Sequence, residues 1–232
     1  VVRKRKVENL LALAVLSTVC QKPMHRYEMA LTMRAQGKDQ DMDIKWGSLY
    51  TVVQNMEKHG FLEAIGNTRQ GARPERTVYR ITEAGLQEMA DWTRELISTP
   101  QTEHPKFAAG LGVMAALPPD EVIVLLQTRL ARLTDTVAAQ RAALAENGQA
   151  VPRLFLVENE YTVAILEAEA AWVRSLLDEL TSGSHPDLAS WQSWHTSGQF
   201  PQDLTDLADL ADSDLGDLAD PAEAAERRAP TD

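Results

Sequence analysis

The apolar residues of this chain change period twice within its first hundred positions, from helical to alternating near Phe61 and back to helical after Thr82, and few folds accept that order. Leu10, Leu11, Leu13, Ala14, Leu16 and Val19 recur at helical spacing and Lys22-Pro23 follows as a stop, which predicts a first helix over residues 7–20. A second helix, over 25–36, places Tyr27, Met29, Ala30 and Met33 on or near one face. After a polar stretch, Gly47-Ser48 opens a third, with Ser48 as N-cap, Leu49, Val52, Val53 and Met56 buried, and His59-Gly60 as a left-handed end. Phe61, Leu62, Ala64 and Ile65 predict one strand and residues 77–81 another, around a Gly-, Pro- and Arg-rich loop over 66–76. Thr82 with Glu83 then caps a fourth helix that passes Met89, Trp92 and Leu96 and ends near residue 97.

Three helices, a two-stranded wing with a basic tip and a closing helix are the parts of a winged helix-turn-helix, in which the third helix enters the major groove while its neighbour and the wing hold phosphates. The expected fold class is therefore mainly α with a small β-hairpin wing, followed by a C-terminal helical dimerisation domain. Residues 1–99 form the DNA-binding domain. Residues 100–119, with Pro100, Pro105, Pro118 and Pro119, form a connecting segment holding a short helix. Residues 120–182 form a helical domain for dimerisation and effector sensing. Its first long helix carries Ile123, Leu126, Leu130, Leu133, Val137 and Leu144 with Gln140 between the last two, in steps of three and four. Such a seam serves a coiled-coil dimer interface or an intramolecular hairpin equally well. The second long helix answers it with Leu154, Val157, Tyr161, Ile165, Ala168, Trp172, Leu176 and Leu180, and Ile165 is assigned to the dimer interface with the seam. A segment with Trp191 and Trp194 occupies 183–200, and an acidic Asp-Leu-Ala-Asp repeat at 201–232 is expected to be disordered, having too little apolar surface to offset ordering entropy.

The overall charge of −11 is unsuited to a nucleic-acid partner until it is read by region. Residues 1–100 carry 15 Lys and Arg against 12 Asp and Glu, and residues 101–232 carry 8 against 22. The basic balance lies on the winged half. The longest apolar run, Leu10 to Val19, is about half the length that crosses a bilayer, which argues against a membrane partner. The basic start resembles a secretory signal, but Glu8 and Asn9 interrupt its junction and Cys20 is the only cysteine, so a cytoplasmic setting is expected. No phosphate-binding Gly-rich loop, nucleophile elbow or His-Glu-x-x-His run is present, and His185, Asp187 and His195 fit no standard metal spacing. No enzyme activity, metal or cofactor is expected.

The segments Met24-His25-Arg26-Tyr27-Glu28, Gly47-Ser48-Leu49-Tyr50, Met56 to Leu62, Gly71-Ala72-Arg73-Pro74-Glu75-Arg76 and Tyr79 to Gly85 follow one another at spacings that together resemble the PadR family of bacterial transcriptional regulators. The likeness covers roughly residues 8–97. It implies a homodimer, a double-stranded operator with two half-sites, and repression relieved by a small-molecule or stress signal. Two departures stand out: Arg26 occupies a position where the family generally has Gly, and Glu75 one where a basic residue is usual.

Base reading is assigned to Lys45, Ser48, Thr51, Gln54 and Asn55, since Gln and Asn can address adenine with two hydrogen bonds. Arg26, Tyr27 and Tyr50 are placed to meet phosphates, and Arg69, Arg73 and Arg76 to meet phosphate or the minor groove from the wing. Trp92, Tyr161 and Trp172 are candidates to line a pocket for a small aromatic or hydrophobic effector, as the resemblance allows, although such aromatics more often serve packing. The function expected is a sequence-specific DNA-binding transcriptional regulator, a repressor in the first reading. The alternative is a protein-interaction adaptor on a winged scaffold that no longer binds DNA.

Overall fold

The computed structural model describes residues 5–38, 46–68 and 76–199, with Asn67, Thr68 and Arg76 described by their backbone alone. The expectation of disorder over 201–232 lies outside the described residues. The chain divides after Glu103 into two compact units.

The first unit is built around α1 (Leu10–Val19), which Asn9 caps by accepting from the Leu11 amide at 2.9 Å. Leu11 to Leu16 and Val19 are all less than a tenth exposed, as expected of a helix that is apolar on nearly every side. Its one buried hydroxyl, Thr18, donates back to the Ala14 carbonyl at 2.7 Å and so is satisfied. β1 (Met24–His25) leads into α2 (Arg26–Ala35), whose first turn is capped by His25 Nδ1 accepting from the Glu28 amide. α3 (Leu49–Lys58) follows a 3-10 turn over Trp46–Ser48. The expected Ser48 cap is corrected here: Ser48 has helical φ and ψ and forms no capping hydrogen bond, because a cap oxygen reaches the first-turn amides from extended backbone.

β2 (Leu62–Thr68) pairs antiparallel with β3 (Arg76–Ile81) in register Leu62 to Ile81 and Glu63 to Arg80, with a bulge between Ala64 and Gly66. β1 pairs with the other edge of β3, Met24 opposite Tyr79 and His25 opposite Val78. The expected β2-β3 hairpin is present, and β1 extends it to a three-stranded sheet in the order β1-β3-β2. α4 (Glu83–Ser98) starts at Thr82, whose oxygen accepts from the Gly85 amide at 3.0 Å while its hydroxyl donates to the Gly60 carbonyl at 2.6 Å. Gly85 lies so close to the turn out of α3 that an added Cβ would sit 2.2 Å from the Phe61 carbonyl oxygen.

The second unit comprises α5 (Lys106–Leu111), α6 (Pro119–Asn147), α7 (Val157–Ser182) and α8 (Leu188–Ser197). α6 and α7 form a helical hairpin, held along its side by Arg129 Nε donating to Glu169 at 2.6 Å. The assignment of the α6 seam to a dimer interface is corrected at Leu126 and Leu133. Leu126 and Leu133 are buried against Ala170, Val173 and Leu177 of the same chain, with Ile123 and Leu130 packed beside them. Val137 and Leu144 are half-buried and Ile165 is half-exposed on α7. A three-and-four spacing specifies an apolar face but not which helix covers it, and the near end of the seam is covered from within. α8 brings Trp191 under the hairpin, where its Nε1 donates to the Leu117 carbonyl at 2.9 Å. Among the described residues, no helix is long and apolar enough to cross a membrane.

Candidate nucleic-acid interface

α3 is amphipathic along its whole length. Leu49, Val52, Val53 and Met56 are at most 5% exposed, whereas Tyr50, Thr51, Gln54, Asn55 and Lys58 all face solvent. Residues four apart on a helix stand one above the other, so Tyr50, Gln54 and Lys58 form one exposed row with Thr51 and Asn55 beside it. The buried row docks on α1 and α2 and fixes the helix as a rod with its polar side outward. Among the residues assigned to base reading, Thr51, Gln54 and Asn55 lie on this outward side and Ser48 just before it; Lys45 lies outside the described residues.

Tyr27, at the second position of α2, is 61% exposed, and Tyr50, at the second position of α3, is 63% exposed. Both rings reach the surface of the winged unit, each from the first turn of its helix. Arg69 and Arg73 lie outside the described residues, and so does the side chain of Arg76, which opens β3. Arg80, farther along β3, is held by Glu63 on β2, with Nη2 donating to Oε1 at 2.6 Å. That exposed pair neutralises the middle of the wing.

Arg26 has an environment that its place in the sequence did not foretell. Its Nη2 donates to the hydroxyl of Tyr79 at 2.9 Å, and its guanidinium carbon stands 4.7 Å from the centre of the Tyr50 ring and 5.3 Å from that of Tyr79. Tyr79 is 2% exposed, so its hydroxyl needs an internal partner, and Arg26 is that partner. No carboxylate among the described residues pairs with Arg26. Arg34 repeats the arrangement nearby, 4.4 Å over the ring of Trp46. Sequence reading missed both contacts, since Arg26 and Tyr79 are 53 residues apart and no local pattern links them.

The three effector candidates fall in different units, Trp92 in the first and Tyr161 and Trp172 in the second. Trp92 is 5% exposed and packs in the core of the first unit, with the Arg5 guanidinium 5.2 Å over its ring. Arg5 is held there by Glu88 at 2.6 Å and by Glu95. Burial works against its charge, but the hydrogen bonds and Coulomb attraction of the two glutamates outweigh burial and raise its pKa. Tyr161 and Trp172 lie on the exposed side of α7, 68% and 49% exposed, and Trp172 meets Phe107 edge to face at 6.0 Å. Phe107 in turn lines an open groove of about 460 Å³ along α6, with Leu125, Arg129 and Arg132. His195 and His185 bond to the Ala115 carbonyl and the Asp187 amide respectively, and among the described residues no group of three or more potential ligands could hold a metal ion.

An amphipathic third helix with its polar row outward, seated on two helices and flanked by a small antiparallel sheet, defines the winged helix-turn-helix class. More narrowly, residues 15–91 match the Transcriptional regulator PadR-like family, the one that the chain's motifs resemble. The fold is similar to that of Bacillus subtilis PadR in complex with operator DNA, at TM-score 0.63 and 17% identity over 74% of this chain and 99% of that one. It is similar to the same Bacillus subtilis protein in complex with p-coumaric acid, at TM-score 0.62 and 17% identity over 75% and 99%. A third likeness is to the Vibrio cholerae virulence activator AphA, at TM-score 0.53 and 17% identity over 74% and 98%. No curated protein matches the chain.

Proposed function

We propose that this chain is a sequence-specific DNA-binding transcriptional regulator that acts as a homodimer. The observation that carries the proposal is the outward polar row of α3, where Tyr50, Thr51, Gln54 and Asn55 are exposed while the opposite row is sealed in the core. Thr51, Gln54 and Asn55 read base edges in the major groove, with Lys45 and Ser48 at the helix start. Tyr27 and Tyr50 donate to phosphates, and Arg69, Arg73 and Arg76 hold the backbone or minor groove from the wing. The dimer sets two such helices about 34 Å apart, one turn of duplex, so that the operator has two half-sites.

The exposed side of α7 supports self-association. Val157, Tyr161, Ile165 and Trp172 recur along one face of that helix and are each about half exposed or more. A row of large apolar side chains on a folded surface marks an interaction face. Control by a small molecule completes the proposal: a ligand that favours one spacing of the two recognition helices shifts the dimer toward or away from operator binding. Bacillus subtilis PadR has been solved with operator DNA and with p-coumaric acid, which makes repression with aromatic-acid release the first arrangement to test, and AphA is an activator, which makes activation the second.

Selection of bound fragments from random-sequence DNA by the purified chain tests the proposal. The expected result is a two-fold symmetric motif with half-site centres about 10 base pairs apart. Recovery of no enriched sequence at low salt, with the protein folded, overturns it in favour of an adaptor on a winged scaffold.

A further inference from the structure

We infer that Arg26 is a positioning residue that ties the wing to the recognition helix and holds the Tyr50 ring so that its hydroxyl meets a DNA phosphate, an inference that rests on the DNA-binding reading above. Three elements converge on this one side chain. Arg26 is the first residue of α2 and directly follows β1, whose pairing with β3 sets Met24 opposite Tyr79. That backbone register brings the Arg26 side chain to the Tyr79 hydroxyl, 2.9 Å from Nη2. The same guanidinium then stacks 4.7 Å over Tyr50, the second residue of α3.

Tyr79 anchors the arrangement because it is almost wholly buried, whereas Tyr50 is 63% exposed and has few packing neighbours to select its rotamer. A cation over the ring face favours one placement of Tyr50, and the planar guanidinium serves both the hydrogen bond and the stack at once. A side chain ordered before DNA arrives loses less freedom on binding. Arg26 acts through Tyr50 here, and the phosphate contact belongs to the tyrosine hydroxyl.

The test is a double-mutant cycle on DNA affinity, using the duplex that the full-length wild type selects from random-sequence DNA. Arg26→Ala weakens binding roughly three- to tenfold in the wild-type background. In a Tyr50→Phe background, where no hydroxyl remains to position, the same change weakens binding less than about twofold. Tyr79→Phe removes the anchoring hydroxyl while keeping the buried ring, and it shows the same dependence on Tyr50 with a smaller factor, which preserves the test if Arg26→Ala lowers the folded fraction. The slope of log affinity against log salt stays unchanged in Arg26→Ala, because the residue neutralises no phosphate itself. A slope reduced by about 0.9 makes Arg26 a direct phosphate ligand and overturns the inference. Equal losses in the wild-type and Tyr50→Phe backgrounds make its role purely structural and overturn it as well. A wild type that selects no DNA overturns this inference together with the reading it rests on, and is thereby told apart from a failure of the brace alone.

Discussion

Gly85 sits where α4 meets the turn leaving α3, and the space for a side chain there is already filled by backbone. A Cβ would stand 2.2 Å from the Phe61 carbonyl oxygen and 2.9 Å from the Ile81 side chain. The carbonyl cannot swing away cheaply, because it accepts from the Thr82 amide at 3.1 Å. Gly85→Ala is therefore expected to destabilise the first unit by about 3 kcal/mol, against the gain of about 1 kcal/mol that alanine brings to an unconstrained helix. Denaturant titration followed by near-ultraviolet signals checks it, and a midpoint equal to that of the wild type would dismiss the close-packing argument. Legibility at this scale is uneven for a physical reason. Thr82 as a cap and the buried row of α3 follow from neighbours a few positions away, so the sequence pattern carries them. The contact of Arg26 with Tyr79 depends on strand register across 53 residues, and the packing of Trp92 beneath Arg5 depends on an 87-residue return, which no local pattern encodes.

The two long helices of the second unit separate what periodicity can say from what it cannot. The seam of α6 is visible as a spacing, but the row expected to answer it on α7 is corrected: Leu154, Val157, Tyr161, Ile165 and Trp172 are about half exposed or more, and Ala170, Val173 and Leu177 cover Leu126 and Leu133 instead, so spacing gave neither the covering row nor the choice between partner chain and hairpin. β1 escapes because two residues have no period, and α8 because Trp191 and Trp194 in a ten-residue helix leave too few turns for one. The seam and the exposed row now make opposite predictions. Leu133→Ala removes a side chain packed inside the hairpin and is expected to cost about 2–5 kcal/mol of stability. Tyr161→Glu with Ile165→Glu changes side chains already in water, so it is expected to leave the unfolding midpoint of dilute protein nearly unchanged while shifting the particle mass from twice 25.7 kDa to a single copy. Light scattering after size-exclusion, at the same micromolar concentration for both proteins, decides the point. A double variant that remains a dimer would move the self-association face off α7.

Charge is divided along the chain, basic in balance over its first hundred residues and acidic at its end. Residues 1–100 have an excess of 3 positive charges and residues 201–232 an excess of 8 negative ones, 10 acids against 2 arginines. If the acidic segment competes with DNA for the winged unit, tethering gives it an effective concentration that can reach the millimolar range, whatever the concentration of DNA. Its attraction for the winged unit is long-range and unspecific, so it is screened with a Debye length of about 10 Å at 0.1 M salt and about 3 Å at 1 M. On the proposed function, base reading by α3 has no counterpart in the acidic repeat, so a specific operator is expected to displace it. Ending the chain after Phe200 is therefore expected to tighten binding to unselected duplex several-fold near 50 mM salt, to tighten binding to the selected operator less, and to change neither at several hundred millimolar. The contrast between the two duplexes matters more than either number, because a competitor for phosphate sites raises the ratio of specific to unspecific affinity, which is the quantity a regulator needs among a genome of competing sites. Equal affinities of the two proteins for unselected DNA at low salt would remove the acidic segment from the binding equilibrium and leave it the role of keeping the protein dispersed.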